Sequence, residues 1–169
     1  MRSDNNAVID ELLAALDRLI VQAAARAKAA RTGIEKHTFA PYHAYRAAIA
    51  EYQALVSVIE GRLEGLSPEL VHRTRARLLV SRRRVLKTSI RAAFEFFFQL
   101  SAIPTLPLGV REVFAQELRH LHATREELRS PDHEGQLPPD LEQDLETAEA
   151  ILNEVMGKAP ALVSFDGDE

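Results

Sequence analysis

The sequence predicts an all-α protein, an antiparallel helical bundle of about five helices with one long central helix. Apolar residues recur every three or four positions almost throughout the chain, and runs of β-branched residues are absent. Glycine and proline, which end helices, are few and clustered. Apolar residues spaced in this way lie on one face of a helix and bury that face against other helices.

Length and composition favour one domain over residues 1–158, followed by a flexible tail over residues 159–169. The chain has no cysteine, which excludes disulfide scaffolds and thiolate metal sites and fits a reducing compartment. The longest uncharged stretch, 96–110, is interrupted by two prolines and is shorter than the roughly 20 residues of a membrane span. Acidic residues near the start also interrupt any signal peptide. We therefore expect a soluble, cytoplasmic protein.

The first two helices are predicted to form an antiparallel hairpin. The first runs from about residue 5 to 31 and the second from about residue 41 to 65, each with apolar residues in alternating steps of three and four. Folding the chain back between them places Ala30 beside Tyr42 and Ala23 beside Ile49. Small residues then face large ones along one end, as a filled core requires.

The third helix is predicted to be the spine of the domain. Ser67 followed by Pro68 is typical of a helix start, and the periodic pattern continues to about Ser101. The fourth helix is expected over about residues 108–129 and the fifth over about residues 140–156. The segment between them, "SPDHEGQLPP", has the composition of a flexible loop.

Charge is distributed unevenly along the chain. Residues 1–91 hold 16 basic and 9 acidic side chains, whereas residues 92–169 hold 5 basic and 16 acidic ones. Five basic residues share one face of the third helix and form what we call the basic stripe: Arg73, Arg77, Arg84, Lys87 and Arg91. A stripe of this kind is either a solvated face or a surface for an anionic partner.

The acidic fifth helix is one candidate to compensate the basic stripe. It carries Asp140, Glu142, Asp144, Glu146, Glu149 and Glu154, with no basic residue before Lys158. We expect it to lie near the third helix, as a fixed or displaceable cover. Nucleic acid is an external candidate, because clustered Arg and Lys release counterions from phosphates. The pI of about 5.9 and the absence of a recognisable nucleic-acid motif make it the less favoured one.

Arg75 and Arg82 fall on the apolar face of the third helix, so the pattern predicts that both are buried. Buried guanidinium groups need partners. A hairpin of the second and third helices would place Arg82 beside Glu51 and Arg75 beside Glu60. The alternative is that they bind an anionic ligand or a partner's carboxylate.

Glu117 and His120 are three residues apart, the spacing found in di-metal sites of helical bundles. Such sites need a second motif and two more inward glutamates, which the other helices do not supply at matching positions. A paired or partly exposed glutamate is therefore the expected state of Glu117, and we predict neither a metal nor another cofactor.

Four phenylalanines occur within residues 94–98 and are followed by an uncharged turn. They surround nearly the whole helix, so either the fourth helix and the turn enclose them or part of this region forms an exposed contact surface, and we favour the second. We call this surface the phenylalanine end and define it by Phe94, Phe97, Phe98, Leu106 and Leu108.

The sequence contains no combination of residues typical of a catalytic centre, and we assign no catalytic residue. The interpretation favoured here is a non-enzymatic bundle that binds another protein or itself, as an adaptor, regulator or assembly subunit. Polyanion or nucleic-acid binding through the basic stripe is the alternative, and a metal-dependent bundle enzyme is the third possibility.

Overall fold

All five helices expected from the sequence are present, with similar bounds. A computed structural model describes residues 2–36, 38–104, 106 and 110–158, without the side chains of residues 2–4. The helices are α1 (Arg2–Glu35), α2 (Ala40–Gly61), α3 (Pro68–Ser101), α4 (Val110–Leu128) and α5 (Asp140–Lys158). No strand occurs in the part of the chain that is described. The all-α prediction is therefore confirmed, while the tail expected over residues 159–169 lies outside the described residues.

α1 and α2 form the expected antiparallel hairpin and pack more extensively against each other than do the other pairs of helices. Ala30 and Tyr42, which were expected to face each other, are buried in the same apolar cluster. Across the hairpin, Arg26 Nη1 donates a hydrogen bond to the carbonyl of Ala44 at 3.3 Å. Small residues on α1 thus leave room for aromatic ones on α2.

α3 is a single unbroken helix of 34 residues, about 50 Å long at 1.5 Å per residue. The Ser67 hydroxyl accepts a hydrogen bond from the backbone N–H of Leu70, and Pro68 occupies the first turn, where its missing N–H costs nothing. Gly65 precedes this start with φ +82°, a conformation that favours glycine. Among the described helices, α3 included, none is both long and apolar enough to cross a membrane.

The ion pairs between helices show which helices run parallel and which run antiparallel. Asp10 pairs with Arg73 near the start of α1 and α3, and Arg31 pairs with Glu95 near their ends, so these two helices run parallel. α4 and α5 are antiparallel, because Arg129 pairs with Glu142 and the earlier Arg125 with the later Glu149. α3 also packs on α5. The long helix therefore lies between the α1–α2 hairpin and the α4–α5 hairpin.

Two apolar clusters share α3. One joins Leu78 to α1 and α2, through residues such as Ile9 and Ile59. The other joins the second half of α3, including Ile90, to α4, α5 and the opposite end of the hairpin. Because both clusters include side chains of one continuous helix, the two halves of the fold are held in a fixed register.

The connection between α4 and α5 differs from the flexible loop that its composition predicts. Residues 131–133 form a turn of 3₁₀ helix, and the imidazole of His133 is buried. His133 Nε2 lies 2.9 Å from a carboxylate oxygen of Glu127, and Arg83 donates a hydrogen bond to the backbone carbonyl of Asp132 at 2.6 Å. These contacts attach the connection to α3 and α4, and nothing in its local composition indicated them.

We expect Gly33→Ala to lower stability relative to Gly61→Ala. A Cβ at Gly33 would lie 3.0 Å from both the carbonyl oxygen of Thr38 and the ring of Pro41, at the crossover from α1 to α2. At Gly61 the same Cβ has no neighbour within 4 Å, and alanine should stabilise the helix by up to about 1 kcal/mol. Urea unfolding of the two variants measures the difference. An equal gain at both positions would contradict a close crossover at Gly33.

Candidate functional site

Carboxylates of α1 pair with most of the basic stripe. Arg73 and Arg77 lie 3.3 Å and 3.8 Å from Asp10. Asp17 pairs with Arg77 at 3.3 Å and with Arg84 at 3.7 Å. All these side chains are about half-exposed, so the pairs are surface ion pairs worth roughly 0–1 kcal/mol each.

The acidic helix α5 packs on α3, as expected, but only part of its charge faces the basic stripe. Asp140 lies 3.7 Å from Arg91. Glu142 and Glu149 pair instead with arginines of α4. The sequence pattern did not identify the two aspartates of α1 as partners of the stripe, because the parallel packing of α1 on α3 cannot be read from the charges of either helix.

Arg75 and Arg82 occupy different environments, and neither is fully buried. Arg75 is exposed, which corrects the expectation that it lies in the apolar face. Arg82 is partly buried, and its Nη2 lies 2.5 Å from an oxygen of Glu60, the residue expected beside Arg75. Arg82 thus pairs with a glutamate nine residues farther along α2 than Glu51, the residue expected beside it.

The phenylalanine end divides into a buried and an exposed part. Phe97 is fully buried, with its ring centroid 6.4 Å from that of Phe114 on α4, so it cannot contribute to an exposed surface as predicted. Phe98 is 60% exposed, and its ring stacks on that of the half-buried Phe94 at 6.2 Å. Leu106 is half-buried against the core, and Leu108 lies outside the described residues.

A buried polar cluster joins α2 to α4. Arg46 donates from its guanidinium group to the carboxylate of Glu117, and the Tyr42 hydroxyl donates to the same carboxylate. The side chains of Arg46 and Glu117 are only 15% and 1% exposed. The guanidinium also lies over the ring of Tyr45, 5.0 Å from its centroid. Glu117 is thus paired, as expected, and Arg46 is its partner.

The charges in this cluster depend on one another. Burial has the largest single effect and lowers the pKa of Arg46, but the Glu117 carboxylate, together with Tyr45 and Tyr42, outweighs it, so the pKa of the arginine lies above its ordinary value. Burial, followed by the same carboxylate, raises the pKa of Tyr42 and keeps its hydroxyl protonated as a donor. Removing either charge would leave the other buried without compensation.

His120, the second residue of the Glu117–His120 pair, is held neutral. Burial and then the positive charge of Arg46 lower the pKa of His120 from 6.5 to about 3. Its Nε2 atom is buried and has no hydrogen-bond partner among the described residues. Within those residues no three His, Asp or Glu side chains are grouped closely enough to hold a metal ion.

A cleft of about 340 Å³ opens beside this cluster, between α2, α3 and α4. We call it the interhelical cleft. Residues on its wall include Tyr52 and Glu60 from α2, Arg82 and Ser89 from α3, and His120 and Thr124 from α4. α2 packs closely on α1 but not on α3 or α4, which leaves this space open. Its volume is in the range of small-molecule sites.

Sequence reasoning missed both Arg46 and the interhelical cleft. A signal for Arg46 was present, because it follows Tyr42 by four residues beside the apolar seam of α2, and the acid on the apolar face of α4 required a buried cation. The cleft had no such signal, since it depends on the spacing of three helices.

Fold and site together define an all-α helical protein with a buried polar cluster between α2 and α4 and a cleft between α2, α3 and α4. The comparisons with known proteins add no family: no family profile matches the sequence, and no curated protein and no solved structure shows significant similarity to it.

We expect Glu117→Gln to reduce the free energy of unfolding by about 3–5 kcal/mol, because it leaves Arg46 as an unpaired buried charge. Glu126→Gln, on an exposed position of the same helix, is the control and should change stability by less than about 0.5 kcal/mol. Replacing both partners, as Arg46→Met with Glu117→Leu, should recover part of the loss. Urea unfolding measures all three. A loss below about 1 kcal/mol for Glu117→Gln would contradict a charge-compensating role.

The neutral state of His120 predicts a specific dependence of stability on pH. Its folded pKa of about 3 lies below the ordinary 6.5, so between these values the unfolded chain binds a proton that the folded chain does not. Stability should therefore fall as pH decreases from 6.5 towards 3, with His120 contributing a slope of up to about 1.4 kcal/mol per pH unit. His120→Gln should flatten the dependence between pH 7 and 4, whereas His122→Gln, at an exposed position, should leave it unchanged. Identical slopes for His120→Gln and the wild type would refute the assignment.

Proposed function

We propose that the protein is a non-enzymatic helical bundle that acts by binding another protein, as an adaptor, a regulator or an assembly subunit. The aromatic pair of α3, formed by the exposed Phe98 and the half-buried Phe94, supports this proposal most directly. Phe98 is 60% exposed and is stacked on Phe94. Transfer of a phenylalanine side chain out of water is favourable, and exposed aromatic side chains are typical anchors of protein interfaces.

The position of the aromatic pair also favours a protein partner. Phe94 and Phe98 lie in the C-terminal part of α3, after Arg91, the last basic residue of the helix. An apolar anchor beside a charged rim is the usual composition of a protein–protein interface. A second copy of the chain is the simplest partner of this kind.

Binding of a polyanion to the basic stripe has weaker support. Arg73, Arg77, Arg84 and Arg91 each lie within 4 Å of a carboxylate of α1 or α5. An anionic polymer would have to displace these carboxylates before it gained contacts of its own. We therefore keep the protein interaction as the proposed function.

We expect Phe98→Ser to weaken association with a second copy or with another protein. Val80→Ser is the control, since Val80 is 56% exposed on the same helix. Both changes replace an exposed side chain, so stability should change by less than about 0.5 kcal/mol. Sedimentation equilibrium over a range of concentrations tests self-association, and affinity purification compares the proteins retained by each variant.

An average mass that rises with concentration for the wild type and Val80→Ser, but not for Phe98→Ser, would support a homo-oligomer. A protein retained by the wild type and the control, but lost with Phe98→Ser, would support a different partner. A strict monomer that retains the same proteins in all three forms would refute the proposed surface.

A further inference from the structure

The α2 segment that lines the interhelical cleft forms ion pairs with the neighbouring helices near both of its ends. Residues 49–60 of α2 line the cleft over about 16 Å. Just before this segment, Arg46 is bound to Glu117 of α4. At its other end, Glu60 forms the 2.5 Å ion pair with Arg82 of α3. α2 thus contacts both neighbouring helices at the two ends of this segment, through a buried ion pair with α4 at one end and a partly exposed one with α3 at the other.

Some of the buried polar side chains lie at or next to the cleft. In the described part of the chain, the buried polar or charged side chains are Thr74, Ser81, Ser89, Glu117, Thr124 and His133. Ser89 and Thr124 line the cleft, and the hydroxyl of Ser81 lies 3.0 Å from that of Tyr52, which also lines it. The seam between α1 and α2, by contrast, is filled by apolar residues.

Two of the side chains on the cleft wall have polar atoms that are poorly satisfied. Ser89 is only 3% exposed, and its hydroxyl lies near that of Tyr45 without a hydrogen bond of normal geometry between them. Nε2 of His120, on the facing helix, has no hydrogen-bond partner among the described residues. A buried polar atom without a partner costs about 1–3 kcal/mol, so a ligand that supplied a partner would recover part of that free energy. Both groups are uncharged and can either donate or accept a hydrogen bond.

The charged residues of the wall indicate which ligands the cleft would reject. Arg82 is already paired with Glu60, and Glu127 lies 2.9 Å from Nε2 of His133. A charged ligand would have to break one of these contacts or be buried without a counter-ion, which is costly. The aliphatic residues of the wall are Ile49, Val56, Val85, Leu86 and Ala123, and uncharged polar residues such as Gln53 and Ser57 lie beside them.

We infer that the interhelical cleft is a binding site for an uncharged, mainly apolar small molecule that carries an amide, carbonyl or hydroxyl group. The apolar body would lie against the aliphatic wall, and the polar group would be directed towards Ser89 and His120. This inference concerns a different surface from the aromatic pair of α3 and does not depend on protein binding there.

The test compares two probes of nearly identical shape, 2-naphthamide and 2-naphthoate, which differ in charge. We expect 2-naphthamide to bind the full chain saturably at sub-millimolar concentration and 2-naphthoate to bind at least tenfold more weakly, as measured by isothermal titration at pH 7. Ala123→Phe, which places a ring in the cleft, should weaken 2-naphthamide binding at least tenfold. Ala150→Phe, the same change at an exposed position of α5, should leave it unchanged.

Far-UV circular dichroism and a thermal melt check that the variants are folded. If Ala123→Phe does not fold, Gln53→Trp blocks the cleft from α2 and serves in its place. Ser89→Ala should weaken 2-naphthamide binding several-fold, because it removes one of the two polar groups. Absence of saturable 2-naphthamide binding, equal or tighter binding of 2-naphthoate, or unchanged binding in the blocked variant would each overturn the inference.

Discussion

The buried ion pair between Arg46 and Glu117 is the interaction on which the arrangement of α2 and α4 depends. It joins two helices that do not otherwise pack closely, and it places two charges in a region where neither would be stable without the other. The Tyr42 hydroxyl also donates a hydrogen bond to the carboxylate, and the tyrosine ring stacks on that of Phe96. The ion pair therefore holds α2 and α4 at a distance at which they do not pack closely. The interhelical cleft is the space that this distance leaves beside the pair.

The surface charges, in contrast to the buried pair, form several weak ion pairs. The basic stripe faces two aspartates of α1 and one of α5, so an excess of positive charge on one helix is offset by its neighbours. Pairs of this kind contribute little individually, but they favour the parallel arrangement of α1 and α3 over alternatives that would place like charges together. Most of the basic stripe is thus paired within the fold, and the aromatic pair of α3 is the more unusual exposed feature.

Much of the fold could be predicted because it depends on local patterns. The bounds of α3 follow from the Ser67–Pro68 start and an unbroken apolar periodicity, and the hairpin follows from small residues of α1 opposite aromatic residues of α2. The features that were missed depend on contacts between distant segments. Arg75 is exposed because the buried face of α3 is narrower there than periodicity indicates, and His133 is buried where the connection after α4 contacts Arg83 of α3. The cleft could not be predicted, because it depends on the spacing of three helices, which the sequence pattern of one helix does not determine.

The continuity of α3 through both apolar clusters has a consequence for how the sequence can change over evolution. Each residue added to an α-helix rotates everything after it by about 100°. One residue inserted between Leu78 and Leu86 would turn Ile90 and Phe97 away from α4 and α5 while the first half of the helix stayed in place on α1. In the middle of α3, positions where the side chain faces water should therefore tolerate substitutions but not insertions or deletions.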